Sequence, residues 1–285
     1  MASSLEGGVG FTAACVQLCS GRNEDANIEI CCHLVDEAAL QGANFIMTPE
    51  MTALMERDRD ALYVALAPEE ASRSLEVFRE RARHHGVWLL VGSLAIKNEA
   101  GRACNRSFLV TPEGDIAARY DKIHMFDVNL ENSGVYRESN SYDAGDKAVI
   151  SALPWGRVGM TVCYDVRFPG LYRMLAQAGA DFLSVPSAFT EETGKVHWHI
   201  LLRARAIETG CYVFAPAQAG LHEDGRRTYG HSLIVGPWGD IIAEAEDENG
   251  VQAPCVITAR IDPEEVIKAR TRIPSLRHDR PISAP

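Results

Sequence analysis

The feature that most constrains the fold is the alternation of short apolar runs with helical patterns along the chain. Runs such as Phe11–Leu18, Trp88–Ile96 and Val158–Val162 are rich in β-branched and large apolar residues and have the length of strands. Several of them are apolar on both faces, which is typical of strands buried inside an α/β protein. We therefore expect a sheet built from these runs, with helices packed on it.

Four segments repeat apolar residues at the three-to-four spacing of one helix face, and glycine follows each of them as a stop signal. The segments are Ile28–Ala39, Leu75–Ala82, Leu171–Ala178 and Ile200–Ile207, followed by Gly42, Gly86, Gly179 and Gly210. In the fourth segment the pattern predicts that Ile200, Leu201, Ala204 and Ile207 form the buried face.

The order of the elements predicts a mixed sheet in one domain. Strands and helices alternate at first, which favours parallel crossover units, whereas Ser93–Tyr120 and Gly230–Arg260 have the turn signals of hairpins. No linker or internal repeat divides the chain. The predicted organisation is a flexible N-terminal segment at residues 1–8, a single domain at 9–273 and an extended tail at 274–285.

Charge and cysteine content exclude several classes of protein. The 39 Asp and Glu residues outnumber the 28 Lys and Arg residues, and the net charge of −11 repels nucleic acid and anionic membranes. No stretch approaches the roughly 20 apolar residues of a membrane span. The eight cysteines form no C-x-x-C pair, so neither a zinc knuckle nor a disulfide framework is indicated, and we expect a reducing, cytoplasmic compartment.

Cys163 has the setting of a nucleophile. The run Val158–Val162 leads directly into this thiol, and the next helix starts near Pro169. A cysteine between a strand end and a helix start lies near free N–H groups and a helix dipole, which favour a thiolate and an oxyanion. The alternative is that Cys163 is only the last buried residue of a strand. Nothing in the sequence shows whether any of the nine histidines meets the thiol as its base.

Two charged residues also stand where strands are predicted to end. Glu50 follows Phe45–Met47 by three residues, and Lys122 directly follows Ala117–Asp121. Each of them alone is best explained as a solvated loop charge. A carboxylate, an ammonium and a thiol that all follow strands can nevertheless share one edge of a sheet, which is the usual place for a site in an α/β fold.

Three motifs carry a resemblance to a known family. They are Thr48-Pro49-Glu50, Tyr120-Asp121-Lys122-Ile123-His124 and Val162-Cys163-Tyr164-Asp165-Val166-Arg167-Phe168-Pro169. In this order they resemble the signatures of the nitrilase superfamily of carbon–nitrogen hydrolases, and further similarity points to its Nit-type amidase branch, which includes deaminated-glutathione amidases. The resemblance implies a four-layer αββα sandwich, an amidase that needs neither cofactor nor metal, and a homodimer or higher homo-oligomer.

The resemblance also implies a role for each site residue. Cys163 is the nucleophile, Glu50 is the general base and then acid, and Lys122 stabilises the tetrahedral intermediate, so that ammonia leaves and water releases a carboxylic acid from a thioester. Tyr164 supplies an oxyanion N–H and Glu138 supports the lysine. The residues expected to contact substrate are Arg137, Arg167, Ser187, Phe189 and Trp198.

Several alternatives remain open at the level of sequence. The spacing of His197 and His199 suits a metal site on a strand, but these residues open a helical pattern, in which side chains two positions apart diverge. A binding protein that retains the fold and a thiol redox enzyme are rivals from other classes. Within the family, the expected substrate is a small amide bearing a carboxylate, paired with Arg137 and Arg167, whereas ω-amides of 2-oxo acids, nitriles and N-carbamoyl compounds are alternatives.

Overall fold

The computed structural model describes residues 10–131, 134–245 and 253–283 of the chain. The N-terminal segment predicted at residues 1–8 and the last two residues of the predicted tail lie outside the described residues. The strands are β1 (Phe11–Gln17), β2 (Phe45–Met47), β3 (Trp88–Lys97), β4 (Ala103–Val110), β5 (Ile116–Asp121), β6 (Asp127–Leu130), β7 (Gly134–Arg137), β8 (Tyr142–Asp143), β9 (Val149–Leu153), β10 (Gly156–Met160), β11 (Phe182–Ser184), β12 (Tyr212–Ala215), β13 (Ala219–Leu221), β14 (Arg227–Tyr229), β15 (Leu233–Val235), β16 (Ile241–Glu244) and β17 (Cys255–Ile261). The helices are α1 (Glu24–Leu40), α2 (Arg59–Ala65), α3 (Arg73–His85), α4 (Pro169–Gln177), α5 (Glu191–Thr209) and α6 (Glu264–Arg272).

The first sheet has seven strands in the order β17-β1-β2-β3-β4-β5, with β8 beside β4. Its centre is parallel, because β2 pairs in parallel with both β1 and β3. Strands β3, β4 and β5 pair antiparallel through the two turns predicted in Ser93–Tyr120, which confirms that prediction. The small hairpins β6–β7 and β13–β14 form separate two-stranded sheets.

The second sheet has six strands in the order β16-β15-β12-β11-β10-β9, again with a parallel centre. The turn predicted at Gly236–Asp240 is confirmed, since the Gly236 N–H donates to the Asp240 carbonyl at 2.8 Å between β15 and β16. The rest of the hairpin predicted over Gly230–Arg260 is wrong, because β17 crosses to the first sheet and pairs with β1. Turn residues act locally, whereas tertiary packing selects the partner of the strand that follows.

The two sheets pack face to face between two layers of helices. At their interface Phe45 of β2 meets Phe214 of β12 edge-on, and Phe11 of β1 meets Phe182 of β11 in the same way. Helices α1 and α3 bury their apolar faces on the outer side of the first sheet, while α4 and α5 pack on the second. This arrangement confirms the predicted αββα sandwich.

All four predicted helices are present, but the buried face predicted for α5 is wrong in part. Ile200 and Ile207 are 69% and 55% exposed, whereas Trp198, Leu202 and Ala206 pack against the second sheet. The helix carries apolar residues on two faces, and spacing alone does not reveal which face meets the sheet.

The stretch predicted to be an extended tail includes a 3₁₀ turn at Ser275–Arg277, which lies against α4. Arg173 and Gln177 of α4 donate to the carbonyls of Ser275 and Leu276 at 3.0 and 3.1 Å. Across the described residues, every helix is too short or too polar to cross a lipid bilayer.

Candidate active site

Three strand ends bring Glu50, Lys122 and Cys163 to one cavity. Strand β5 ends directly before Lys122, while β2 and β10 each end three residues before Glu50 and Cys163. All three side chains line a cavity of about 700 Å³, a volume suited to a small organic ligand. The structure therefore brings together the three residues that the sequence placed at strand ends.

The backbone at Cys163 is held in a conformation that presents the thiol to the cavity. Its φ of +48° lies in the left-handed region, which is uncommon for a residue other than glycine and costs of order 1–3 kcal/mol. The Cys163 N–H donates to the Pro186 carbonyl at 2.9 Å, and the buried Asp165 carboxylate accepts from the Val162 N–H at 2.9 Å and from the Tyr120 hydroxyl at 2.6 Å. These hydrogen bonds offset the cost of the strained backbone at Cys163 and stabilise the turn.

Two glycines allow the close backbone contacts that position the charged residues. A Cβ atom on Gly92 would lie 2.0 Å from the Thr48 carbonyl oxygen, so only glycine lets the segment before Glu50 cross β3. A Cβ atom on Gly145 would lie 2.2 Å from the Asp121 carbonyl oxygen, and the Gly145 N–H donates to the Lys122 carbonyl at 2.8 Å. A larger residue at either position would displace one of the two charges.

Lys122 lies between two carboxylates, and its side chain is only 2% exposed. Its Nζ donates to Glu50 Oε1 at 2.9 Å and to the two oxygens of Glu138 at 3.0 and 2.8 Å. Glu50 Oε2 accepts from the Ala188 N–H at 2.8 Å, and Glu138 Oε2 accepts from the Phe126 N–H at 2.6 Å. The ammonium and both carboxylates are therefore fixed in place before any substrate binds.

Asn105 of β4 is a site residue that the sequence reasoning missed. This fully buried side chain donates its Nδ2 hydrogens to Glu50 Oε1 at 2.9 Å and to Glu138 Oε1 at 3.2 Å. It thereby fixes the separation of the two carboxylates. The only available signal was the side-chain amide of Asn105 within a largely apolar strand. A buried amide needs polar partners, so such a residue indicates a polar site nearby.

The charges of the site determine its resting protonation state. Burial alone would raise the pKa of Glu50, but the Lys122 ammonium outweighs burial and holds that pKa below its ordinary value. Burial alone would lower the pKa of Lys122, but the Glu138 and Glu50 carboxylates raise it well above its ordinary value. Burial, and then the Glu50 carboxylate, raise the pKa of the Cys163 thiol well above its ordinary value. The resting site thus holds a carboxylate, an ammonium and a neutral thiol.

Only two of the five side chains expected to contact substrate, Phe189 and Arg137, belong to the described cavity lining. Phe189 lines the cavity, as does Tyr164 next to the thiol. Arg137 also lines it, but its guanidinium donates to the carbonyls of Val128 and Tyr136, at 3.0 and 2.7 Å, within its own β6–β7 hairpin. Its charge is therefore partly occupied by backbone oxygens.

Arg167, Ser187 and Trp198 are not part of the described cavity lining. The Arg167 guanidinium lies over the Phe189 ring, 5.0 Å from its centre. The Ser187 hydroxyl donates to the Val185 carbonyl at 3.0 Å, and Trp198 Nε1 donates to the His231 carbonyl at 2.8 Å. Arg167 and Trp198 thus contact Phe189, a residue of the described lining, from outside it.

The cavity lining is rich in cations, of which sequence reasoning identified only Lys122 and Arg137. Within the described lining, six cationic side chains face three acidic ones, in a chain whose net charge is −11. The cations are Arg57, Arg59, Arg102, Lys122, Arg137 and Arg226, and the acids are Glu50, Glu56 and Glu138. Most of these arginines lie in loops or short elements, whose path no periodic pattern reveals.

One cluster outside the cavity has side chains of types that bind metals. His199 Nε2 and His231 Nδ1 each lie 2.9 Å from Glu244 Oε1. Both distances are those of ordinary hydrogen bonds, which account for the cluster without an ion. His197, which the sequence spacing singled out together with His199, instead lies with its Nδ1 3.3 Å from the Arg167 guanidinium.

Comparisons with known proteins agree with this geometry. The model of the carbon-nitrogen hydrolase family matches residues 12–271. A deaminated glutathione amidase of Synechocystis sp. is 40% identical over 272 residues, which cover 94% of this chain and 97% of that protein. The crystal structure of the C. elegans NitFhit protein superposes with a TM-score of 0.87 at 32% identity, over 96% of this chain and 66% of that one. Nit3 of Saccharomyces cerevisiae, a member of branch 10 of the nitrilase superfamily, gives a TM-score of 0.84 at 27% identity, over 94% and 96% of the two chains.

Proposed function

The chain belongs to the carbon–nitrogen hydrolase family and is an amidase, and we propose that it hydrolyses a small amide bearing a carboxylate through a thioester on Cys163. The family resemblance drawn from the three motifs is thereby confirmed. The observation that carries the proposed mechanism is the fixed pair of Glu50 and Lys122, 2.9 Å apart in the cavity that Cys163 also lines.

The first half of the proposed reaction forms the thioester. As the Cys163 sulfur attacks the amide carbonyl carbon, its proton passes to Glu50, because the thiol is neutral at rest and the carboxylate is ionised. The Lys122 ammonium and the Tyr164 N–H stabilise the oxyanion of the tetrahedral intermediate. Protonated Glu50 then donates its proton to the leaving nitrogen, and the carbon–nitrogen bond breaks.

The second half of the proposed reaction hydrolyses the thioester. Glu50, ionised again after its proton has left with the amine, accepts a proton from a water molecule that attacks the thioester carbonyl. The second tetrahedral intermediate uses the same oxyanion donors, and its collapse returns the proton from Glu50 to the Cys163 sulfur. A carboxylic acid is released and the site regains its resting charges.

The charge of the cavity supports a substrate that carries a carboxylate. Cationic side chains outnumber acidic ones two to one in the described lining, whereas the whole chain is acidic. A cleft lined mainly by charges of one sign raises the local concentration of ligands that carry the opposite charge. Together with the similarity to a deaminated glutathione amidase, this favours deaminated glutathione or a related 2-oxo acid amide.

The leaving group depends on which of these amides is used. In deaminated glutathione a 2-oxo acid replaces the γ-glutamyl residue, so cleavage of its γ-amide releases an amine. The ammonia expected from the sequence is released only from primary amides such as 2-oxoglutaramate. An assay that follows ammonia alone would therefore miss the first substrate, and the acid product should be measured instead.

A panel of substrates tests the proposed function. We expect kcat/KM for deaminated glutathione or 2-oxoglutaramate to exceed that for pentanamide, benzonitrile and an N-carbamoyl amino acid by at least tenfold, or about 1.4 kcal/mol of transition-state binding. A tenfold preference for the neutral amide or the nitrile would reject the proposed substrate class. If the folded protein hydrolysed none of them while binding the carboxylate amides, a binding protein would be the correct interpretation.

The protonation states lead to a prediction about pH. Catalysis needs ionised Glu50, so activity is present above the pKa of Glu50 and is lost as the pH falls through it. Because that pKa lies below its ordinary value of 4.5, we expect kcat/KM to stay within twofold from about pH 8 to about pH 5.5, with circular dichroism as the control for folding. A loss of activity centred near pH 6.5 would instead indicate a histidine base.

We also propose that the protein forms a homodimer through the outer face of α5. Val196, Ile200 and Ile207 lie along this face and are 58%, 69% and 55% exposed, and the turn carrying the exposed Trp238 lies beside Ile207. An apolar patch of this kind is typical of an interface between subunits. Light scattering at micromolar concentration should give at least twice the mass of one chain, and a purely monomeric sample would reject the proposal.

A cytoplasmic location is proposed on the basis of the cysteines. All eight are free thiols, and six of them are buried. Unpaired cysteines persist where glutathione and thioredoxin keep thiols reduced. A nucleophilic thiol such as Cys163 also needs such a compartment to stay unoxidised.

A further inference from the structure

Four of the five arginines in the described cavity lining form no ion pair with a described acidic residue, and two of these four, Arg57 and Arg226, share one aromatic partner. The guanidinium carbons of Arg57 and Arg226 lie 5.1 and 5.8 Å from the centre of the Tyr136 ring. By contrast, Arg102 in the same wall pairs with Asp143 at 2.5 Å. The charges of Arg57 and Arg226 are therefore both directed to one aromatic side chain and lack a counter-ion within the described part of the chain.

The environment of Arg226 makes this lack of a partner costly. Its Nε is buried and has no hydrogen-bond acceptor among the described residues. Asp224, in the same turn, accepts the backbone N–H of Arg226 at 2.8 Å, but its carboxylate forms no ion pair with the guanidinium. A partly desolvated cation without a counter-ion is unfavourable, and an anion bound in the cavity would relieve that cost.

An aromatic wall joins these arginines to the reacting centre. Tyr164, next to the nucleophile, contacts Phe126 with ring centres 5.1 Å apart, and Phe126 contacts Tyr136 at 5.2 Å. Burial, and then the Glu138 carboxylate, raise the pKa of Tyr142, whereas the Arg226 guanidinium lowers it. Arg226 and Glu138 therefore both act on the Tyr142 side chain. The arginines thus lie in the same cavity as Cys163, but at the far end of the aromatic wall.

We propose that Arg57 and Arg226 bind the carboxylate of the substrate over the ring of Tyr136, at the end of the cavity remote from Cys163. A carboxylate between two guanidinium groups accepts charge-assisted hydrogen bonds from both and removes their mutual repulsion. This inference rests on the proposed function and assigns its specificity to Arg57 and Arg226 rather than to Arg137 and Arg167. The substrate class that follows is an ω-amide whose carboxylate lies several bonds from the scissile carbonyl.

Matched substrates and matched variants test this assignment. The substrates are 2-oxoglutaramate and pentanamide, which have the same number of carbon atoms, and glutaramate, which keeps the carboxylate without the 2-oxo group and should respond to each variant as 2-oxoglutaramate does. We expect Arg226→Gln to lower kcat/KM about 100-fold, and Arg57→Gln about tenfold, for 2-oxoglutaramate, mainly through KM, with less than threefold loss for pentanamide. Arg227→Gln is the control, with less than threefold loss for both substrates, because this neighbour of Arg226 is exposed and is not part of the described cavity lining. Arg226→Lys should recover part of the loss, because it retains the charge without the planar fork.

Three results would overturn the assignment. They are an unchanged preference for 2-oxoglutaramate in Arg226→Gln, an equal loss for both substrates, and a selective loss in Arg137→Gln that exceeds the loss in Arg226→Gln. An equal loss would mean that Arg226 acts architecturally, and the melting temperature of the variant would show whether the fold has weakened. If the wild-type enzyme itself did not prefer 2-oxoglutaramate to pentanamide, the proposed substrate class would fail, whereas a preference that survives in Arg226→Gln would reject only this inference.

Discussion

Replacement of Cys163 by alanine is expected to lower kcat/KM by at least about 10⁴-fold, the usual cost of losing a nucleophile. The reason is that the proposed route passes through a bond to the Cys163 sulfur, and neither Glu50 nor Lys122 can replace a thiolate as the attacking group. The fold should persist, because the change removes one small atom and retains the N–H bonded to the Pro186 carbonyl.

The chain offers a matched control for this variant. Cys31 is another fully buried cysteine, but it lies in α1, on the outer side of the first sheet. Cys31→Ala should keep wild-type activity within about twofold, because alanine is a good helix former and the residue is remote from the cavity. Activity of Cys163→Ala above about one percent of wild type would contradict the assignment of the nucleophile.

Lys122→Met and Glu50→Gln are expected to lower kcat by at least about 10³-fold each. Loss of a single oxyanion donor alone costs about 10²–10³ in kcat. Lys122→Met also removes the charge that keeps the pKa of Glu50 low, so burial then raises that pKa and weakens the carboxylate form that acts as base. Glu50→Gln abolishes proton transfer in both halves of the reaction. Either variant working at a near wild-type rate would contradict the proposed mechanism.

A second variant is needed to interpret the stability of Lys122→Met. Without the ammonium, Glu50 and Glu138 both remain bonded to Asn105 with no cation between them, and an unpaired buried charge is strongly destabilising. We expect Lys122→Met to melt at a lower temperature than wild type, and Lys122→Met/Glu138→Gln to recover stability without recovering activity. Recovery of activity in the double variant would show that Lys122 serves only to balance charge.

Local sequence signals singled out Glu50, Lys122 and Cys163 as candidate site residues, and the family resemblance supplied the roles proposed for them. The strand end before Cys163 is visible in the sequence because the apolar run Val158–Val162 stops there. The sequence predicted that the three residues share one edge of a single sheet, and this prediction is wrong. Glu50 and Lys122 follow β2 and β5 of the first sheet, whereas Cys163 follows β10 of the second, so the three residues meet across the two packed sheets. The strained turn at Cys163 was not visible, because it depends on bonds from Pro186 and Asp165, both of which are set by the fold.

Features that depend on packing between distant segments could not be read from the sequence. Asn105 resembles any other polar residue in a strand until its partners at positions 50 and 138 are in place. Arg57 and Arg226 lie in loops 169 positions apart in the sequence, and the ring of Tyr136 from a third segment brings them together. The exposed face of α5 was misassigned for a similar reason, since both of its faces carry apolar residues.

The most direct test of the central claim is the partition of the acyl group between water and hydroxylamine. Glutaramate and N-methylglutaramate share one acyl group, carry a carboxylate and differ only in the leaving amine. If both pass through the same thioester on Cys163, the ratio of hydroxamate to acid will be identical for the two substrates at each hydroxylamine concentration. A ratio that depends on the leaving amine, or acid formation without any hydroxamate, would contradict the thioester mechanism.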